Sequence, residues 1–417
     1  MNNEKEKIVP QLRFPEFEKD ENWSTKPLKK VFSIFQGYSF SSKDSVAKGT
    51  RWVKIADVGI QNMKHSNPSF LPDDYTNIYE KFLLKKGDYV LALTRPILNG
   101  KLKISAVDDL LHNSLLNQRV GKLISGSNLT LVYYLLQTNY LIKEIEKSIA
   151  GSEPPNLSMK QIENIKISLP SNPKEQQKIA NCLSSLDKLI TAETEKLDHL
   201  KDHKKGLLQQ LFPAIGETKP QFRFQEFKND GDWVETILDN LGEIVTGKTP
   251  STKNEALWNG EVLFITPTDI SDKKYQTSTN RTVKNTDKLK ILPQGSIVYT
   301  CIASIGKMAM TTMDSITNQQ INSIVPFENY KNEFIYYLLI SLTPYIKSIP
   351  ATSTLPIINK TQFSEIECEI PSNPKEQQKI ASCLSSADDL IEAQTIKIEA
   401  LKKHKKGLMQ QLFPTIK

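Results

Sequence analysis

The sequence predicts an α+β chain in which two variable domains are separated by two long antiparallel α-helices that form a coiled coil. The plan repeats about a pseudo-two-fold axis. Three observations carry this reading. Pro170–Pro213 aligns without gaps on Pro371–Pro414 with 33 identities in 44 positions, so the chain contains a duplication. Those repeated segments hold apolar residues at alternating spacings of four and three, the pattern of a helical seam. The stretches before them carry short apolar runs bounded by Gly, Pro and Asn, the pattern of strands and turns. The expected boundaries are 1–170 for the first variable domain, 171–213 for the central helix, 214–371 for the second domain and 372–417 for the last helix.

The repeat extends upstream at another offset. Pro10-Gln11-Leu12-Arg13-Phe14, Phe17 and Trp23 match Pro220-Gln221-Phe222-Arg223-Phe224, Phe227 and Trp233. Between these anchors the likeness is thin: Gly37 pairs with Gly247, Ala56-Asp57-Val58 with Thr268-Asp269-Ile270, Gly87 with Gly295, Gly100-Lys101 with Gly306-Lys307, and Asn117-Gln118 with Asn318-Gln319. One segment of each unit is held nearly identical and the other is not. The economical account is that the first meets the same thing twice while the second meets two different things. Recent recombination between the two repeated segments is the alternative.

Each repeated segment opens as a helix does. Asn172 or Asn373 supplies a cap, Pro173 or Pro374 takes the first helical position, and Glu175 or Glu376 stands third, able to reach back to the cap amide. No Pro follows until Pro213 and Pro414, so each helix can run nearly 40 residues, about 55–60 Å. The seam reads Ile179, Leu183, Leu186, Ile190, Leu197, Leu200, Leu207 and Leu211, and then Ile380, Leu384, Ala387, Ile391, Ile398, Leu401, Leu408 and Leu412. It is interrupted at matching places by Glu193 and Gln394 and by Lys204 and Lys405. Such breaks either fix register or are simply solvated; the lysines also suit a helix C-terminus. A helix this long needs a partner for its apolar stripe, and the other copy is the simplest one. With a domain lying between the copies, antiparallel pairing follows most simply. Identity concentrated at the helix ends points to a partner bound twice, and the candidates for docking and pairing are Glu175, Gln176, Gln177, Ile179, Leu183, Ile190 and Leu200 with Glu376, Gln377, Gln378, Ile380, Leu384, Ile391 and Leu401.

In the variable domains, strands are expected at Arg51–Val58, Tyr89–Leu93, Val262–Ile265 and Ser296–Cys301, and helices at Thr130–Ile149 and Glu333–Ile349. Ile165–Leu169 and Glu367–Ile370 read as strands leading straight into the long helices. Residues that can hydrogen-bond base edges or phosphates gather at the strand ends. The first domain offers Arg51, Lys54, Thr94, Arg95, Asn99, Lys101, Asn117, Gln118 and Arg119; the second offers Thr266, Thr268, Ser304, Lys307, Asn318, Gln319, Gln320 and Asn322. Polar loops have similar composition whatever they do.

Composition sets outer bounds. With 38% hydrophobic and 24% charged residues the chain is globular rather than disordered. A net charge of +7 permits a polyanionic partner without naming one. Cys182, Cys301, Cys368 and Cys383 show no metal spacing and suit a reducing compartment. The first ten residues lack a signal core, and no apolar run is long enough for a membrane span, so a soluble, cytoplasmic chain is expected. No catalytic residue and no metal site is expected. Ser304-Ile305-Gly306-Lys307-Met308 lacks the glycine spacing and hydroxyl of a phosphate loop, and three of the five histidines, His199, His203 and His404, lie on the long helices.

These residues resemble those of a known family, the specificity (S) subunits of type I restriction–modification systems. The resemblance rests on Arg13-Phe14-Pro15-Glu16-Phe17 with Trp23, its copy Arg223-Phe224-Gln225-Glu226-Phe227 with Trp233, and the Glu-Gln-Gln-Lys-Ile helix starts. It rests equally on Gly247-Lys248-Thr249-Pro250-Ser251 with Trp258-Asn259-Gly260, on Thr266–Ile270, on Cys301–Lys307 and on Asn318–Asn322. Gln36-Gly37-Tyr38-Ser39 departs from the pattern in the first domain. The resemblance implies that each variable domain is a target-recognition domain for one half of a bipartite, asymmetric site in double-stranded DNA. It further implies helices that set the spacer and dock two methyltransferase (M) subunits, with two restriction (R) subunits in the full complex. No cofactor is then expected on this chain; S-adenosylmethionine, ATP and Mg would sit on the partners, which perform methylation and cleavage. A coiled-coil adaptor for two unlike proteins, and an enzyme of unrecognised type, are the competing readings.

Overall fold

The computed structural model describes residues 9–151, 153–285, 289–349 and 356–414. The chain divides into two compact units, one made of residues 1–193 with 397–417 and the other of 194–396. Each unit therefore combines one variable domain, the first half of the long helix that follows it, and the last half of the other long helix.

The long helices span Pro173–Leu211 and Pro374–Leu412, 39 residues each. The Asn172 side chain accepts from the Lys174 N–H at 2.9 Å, as a cap should, and Asn373 does the same for Lys375 at 3.0 Å. Glu175 and Glu376 do not complete a capping box. Their carboxylates are turned inward and held by arginines, as described below.

In unit one, a four-stranded antiparallel sheet runs in the order Phe32–Gln36, Val120–Ser125, Tyr89–Ala92, Ile104–Ala106. A second sheet orders Phe70–Leu71, Thr50–Val53 and Leu115–Leu116, the last pair parallel. Ser24–Pro27 pairs with Lys166–Leu169, the strand that leads into the helix. Unit two has the same plan. Gly242–Thr246, Ile321–Pro326, Ile297–Thr300 and Met308–Thr311 form its main sheet, extended by Tyr275–Gln276. Thr282–Val283, Trp258–Ile265 and Ser315–Thr317 form the second sheet, again with the last pair parallel. Val234–Ile237 pairs with Glu367–Ile370.

Two expected elements are shorter than their apolar patterns suggest. The strand at Arg51–Val58 stops at Val53, where Asp57 closes a turn by accepting from the Lys54 N–H at 2.7 Å. The helix expected over Thr130–Ile149 is two helices, Leu129–Leu135 and Asn139–Ile149, because Thr138 caps the second with its side chain. In unit two the counterpart runs unbroken from Asn332 to Ser348.

The core of unit one joins Trp23, Leu91, Ile104 and Leu131–Leu136 to Ile179 and Leu183 of the first long helix and to Leu412 and Phe413 of the second. Unit two joins Trp233, Tyr299 and Phe334–Leu339 to Ile380 and Leu384, and to Leu211 and Phe212. So the apolar stripe of each long helix near its start is covered by its own variable domain as much as by the other helix. Further along, Ile190, Leu200, Ile391 and Leu401 are half-buried. Within unit one the two helical segments run in opposite directions, since Lys405 meets Asp187 and Lys397 meets Glu193. Among the described residues, no helix is long and apolar enough to cross a membrane.

Candidate nucleic-acid interface

The residues repeated most faithfully upstream build a clamp. Arg13 sets its guanidinium in bidentate fashion against Glu175, both contacts 2.8 Å, and the Trp23 indole N–H donates to the same carboxylate at 3.1 Å. Arg223 and Trp233 treat Glu376 identically, at 2.7, 2.7 and 3.4 Å. Each glutamate side chain is 1% exposed. A buried carboxylate needs such a partner, and the planar guanidinium fork supplies two parallel bonds. The Glu175 hydrogen bond raises the Arg13 pKa further. The clamp continues with Asn172 donating to Asp20, Asn373 to Asp230, and with ion pairs Lys178–Glu16 and Lys379–Glu226. At the far end, the Leu12 N–H donates to the Gln411 carbonyl, as Phe222 does to Gln210.

Of the docking candidates, then, Glu175 and Glu376 are engaged inside the chain. Gln176 and Gln377 donate to the carbonyls of Pro170 and Pro371. Gln177 and Gln378 are exposed and donate to Asn181 and Ser382 on their own helices, and Gln177 also accepts from the Asn128 amide of the variable domain at 2.7 Å.

The thin matches between the variable domains are scaffold positions. A Cβ on Gly37 would overlap the carbonyls of Leu116 and Asn117, and one on Gly247 the Asn318 carbonyl. Asn117 and Asn318 turn the chain identically, each side-chain oxygen accepting from the N–H two residues on, Arg119 at 3.0 Å and Gln320 at 3.2 Å. Asp269 closes the Thr266 turn at 2.9 Å just as Asp57 closes that of Lys54. Burial, opposed by the Lys54 N–H and the Arg51 charge, raises the Asp57 carboxyl pKa. Arg95 and Ala303 share a left-handed backbone, φ 49° and 61°, and each N–H donates to a proline carbonyl, Pro155 or Pro356. A non-glycine residue held there is strained and marks a loop whose shape matters.

On this shared frame the two domains present different side chains: Lys54 against Thr266, Arg95 against Ala303, Arg119 against Gln320. In unit one, Arg119 and Arg95 each border a cleft. Thr94, Gln118, Arg119, Gln36 and Asn156 line one of about 680 Å³. Arg95, Asp57, Lys64, Lys103 and Glu153 line another of about 720 Å³. Desolvation, aided by Lys64, lowers the pKa of the half-buried Lys103. Asn99 and Lys101 stand apart, on an exposed hairpin pairing Ile97–Leu98 with Lys101–Leu102, where Asn99 and Gly100 take the positive φ values of a tight turn.

The candidates divide by what already holds them. Arg51 is paired with Asp57 at 3.3 Å, Lys54 lies over the Trp52 ring at 3.9 Å, and the Thr94 hydroxyl donates to Asn156 at 2.7 Å. Arg95 is exposed and only 4.0 Å from an equally exposed Glu153. Gln118, beside the Tyr38–Asn117 bridge, is half-buried and Arg119 exposed. In unit two, Asn322 is buried, accepting from Thr246 and donating to the Ile358 carbonyl. The Thr266 hydroxyl is bonded to Thr268 and Asp269, Gln319 accepts from Thr249, and Gln320 from Asn318. Lys307 reaches the Pro267 carbonyl at 3.4 Å, drawing the Thr266–Asp269 turn and the exposed Ser304 loop together. Among the described residues, no group of three His, Cys, Asp or Glu is placed to hold a metal ion.

One set of residues escaped sequence reasoning although its signal was present. The Tyr134 hydroxyl donates to Asp187 at 2.7 Å, and Lys405 reaches the same carboxylate at 2.5 Å. Tyr337, Asp388 and Lys204 repeat this at 2.6 and 2.5 Å. The tyrosine doublets 133–134 and 336–337 and the identical aspartates were visible as matches in the sequence.

The model of the type I restriction modification DNA specificity domain matches residues 20–202 and 230–403. The MjaVIII type I restriction enzyme specificity subunit of Methanocaldococcus jannaschii is 36% identical over 194 residues, 46% of this chain and 45% of that protein. In such matches the chain spans about half the length of its curated relatives. The HindI specificity subunit of Haemophilus influenzae is 26% identical over 383 residues, 73% of this chain and 82% of that protein. A solved S subunit of a type I restriction-modification system from M. genitalium shares the fold, with a TM-score of 0.63 at 16% identity, over 98% of this chain and all of that one. With one specificity domain matched in each half, the chain belongs to the type I restriction modification DNA specificity family.

Proposed function

We propose that the chain is the non-catalytic, DNA-reading subunit of a type I restriction–modification complex. Each variable domain reads one half of a bipartite, asymmetric site in double-stranded DNA. The two long helices form an antiparallel coiled coil that sets the spacer and docks two methyltransferase subunits, and two restriction subunits complete the assembly. S-adenosylmethionine, ATP and Mg belong to those partners, and the work is done in the cytoplasm. The observation that carries this reading is one frame built twice, with identical clamps and turns but different side chains at matched loop positions.

The test is a methylome of cells producing the chain with its methyltransferase partner. Exchanging residues 10–170 for the domain of another family member is expected to change one half-site and leave the other. A change in both, or in neither, would overturn the assignment. Inserting four residues near 195 and four near 396 lengthens each helix by about 6 Å and is expected to add about two base pairs to the spacer. At the side-chain level, Arg119→Ala is expected to weaken DNA binding without unfolding the domain. A base contact costs about 1–3 kcal/mol and relaxes one position of the motif, whereas a phosphate contact lowers the salt slope by about one. Titration at several salt concentrations separates the two.

A further inference from the structure

The matched lysine breaks in the seam, Lys204 and Lys405, end in matched triads. Lys405 arrives from the second long helix, Asp187 lies on the first, and Tyr134 belongs to the variable domain. The lysine sits over the tyrosine ring at 5.4 Å as well as on the carboxylate. In unit two Lys204, Asp388 and Tyr337 reproduce this arrangement, with 5.5 Å from cation to ring. Lys405 is 9% and Lys204 18% exposed. A lysine that merely balanced a helix C-terminus would point along its own helix into water. These two point across, and three segments meet at each.

An apolar seam of fours and threes looks alike after every heptad, so it specifies register weakly; a polar residue with one possible partner specifies it strongly. Sliding one helix by seven residues, about 10.5 Å, would bring seam positions back onto seam positions but carry each lysine about two turns from its aspartate. The tyrosine adds a second constraint, because its hydroxyl fixes the variable domain to the aspartate that the lysine selects.

We propose that the two Tyr–Asp–Lys triads are register locks. They position each recognition domain on the helix pair, and the spacer length is set at the triads rather than by the seam alone. This rests on the function proposed above. None of the six residues is assigned a DNA contact; their role is positioning.

The test is the double variant K204M/K405M, which keeps the long side chains and removes both cations, co-produced with the methyltransferase partner. Methylome sequencing is expected to show unchanged half-sites and about a tenfold rise in methylated sites whose spacer is shifted by about three base pairs, one heptad of slip. Unchanged spacer strictness in folded variant protein overturns the lock. If this variant does not accumulate, D187N/D388N keeps both tyrosine contacts while removing the charges, and the same two outcomes apply. Loss of folded chain in both variants also counts against it, because register can be lost without the fold. A wild-type chain that yields no split motif refutes the proposed function instead, before any variant is compared.

Discussion

Replacing Glu175 with alanine is expected to destabilise unit one by about 3–5 kcal/mol, the cost of leaving one member of a buried ion pair without the other. Arg13 would keep its positive charge at a site where its side chain is 7% exposed, with only the carbonyls of Asp20 and Glu21 as acceptors. The Trp23 indole would lose its acceptor too. The two units need not unfold together, so the change is best followed by denaturant titration with amide exchange read separately in each. Glu376→Ala is expected to reproduce the effect in unit two and spare unit one. The pair R13M/E175L should recover part of the loss, because removing both charges strands neither. Equal loss in both units from either single change would show that the clamp is not local.

The second large effect is expected at Gly37 and Gly247. An alanine at either site drives its methyl into the backbone carbonyls of the Asn117 or Asn318 turn. Backbone cannot rotate away as a side chain can, so the strand and turn must separate, at about 3 kcal/mol. Because the turn presents Gln118 and Arg119 in one unit and Gln319 and Gln320 in the other, each substitution should abolish reading of one half-site. DNA binding by Gly37→Ala and Gly247→Ala chains, assayed on sites altered in one half at a time, checks this. Preserved reading of both halves would show that the turn does not carry the readers.

How far the sequence revealed this depended on what each residue bonds. The duplication was legible because the residues that build the clamps, Arg13, Trp23 and Glu175 in one unit and Arg223, Trp233 and Glu376 in the other, are identical in the two copies. Strands such as Tyr89–Ala92 and Ile297–Thr300 were legible from apolar runs between turns. The break at 136–138 was not, because Leu135, Leu136 and Leu141 stay buried across it and the pattern continues unbroken. Site residues were chosen by type, and type does not tell whether a side chain is already occupied. Thr94 meets an asparagine 62 positions away and Asn322 a threonine 76 positions away, partners that only the folded sheet brings close. The lysine breaks were visible as interruptions; their aspartates became partners only once the helices were seen to oppose each other within a unit.

The composition of the units has a consequence for how the protein is made. Unit one needs residues 397–414, which leave the ribosome roughly 200 residues after position 193, about 10–40 s later at ordinary elongation rates. Until then Ile179, Leu183 and the neighbouring core lack Leu412 and Phe413. Unit two, whose residues 194–396 are continuous in the chain, can close first. The domain translated first therefore cannot finish folding until the chain is almost fully synthesised, and slowing translation between residues 193 and 397 should lengthen its exposure to proteases and chaperones.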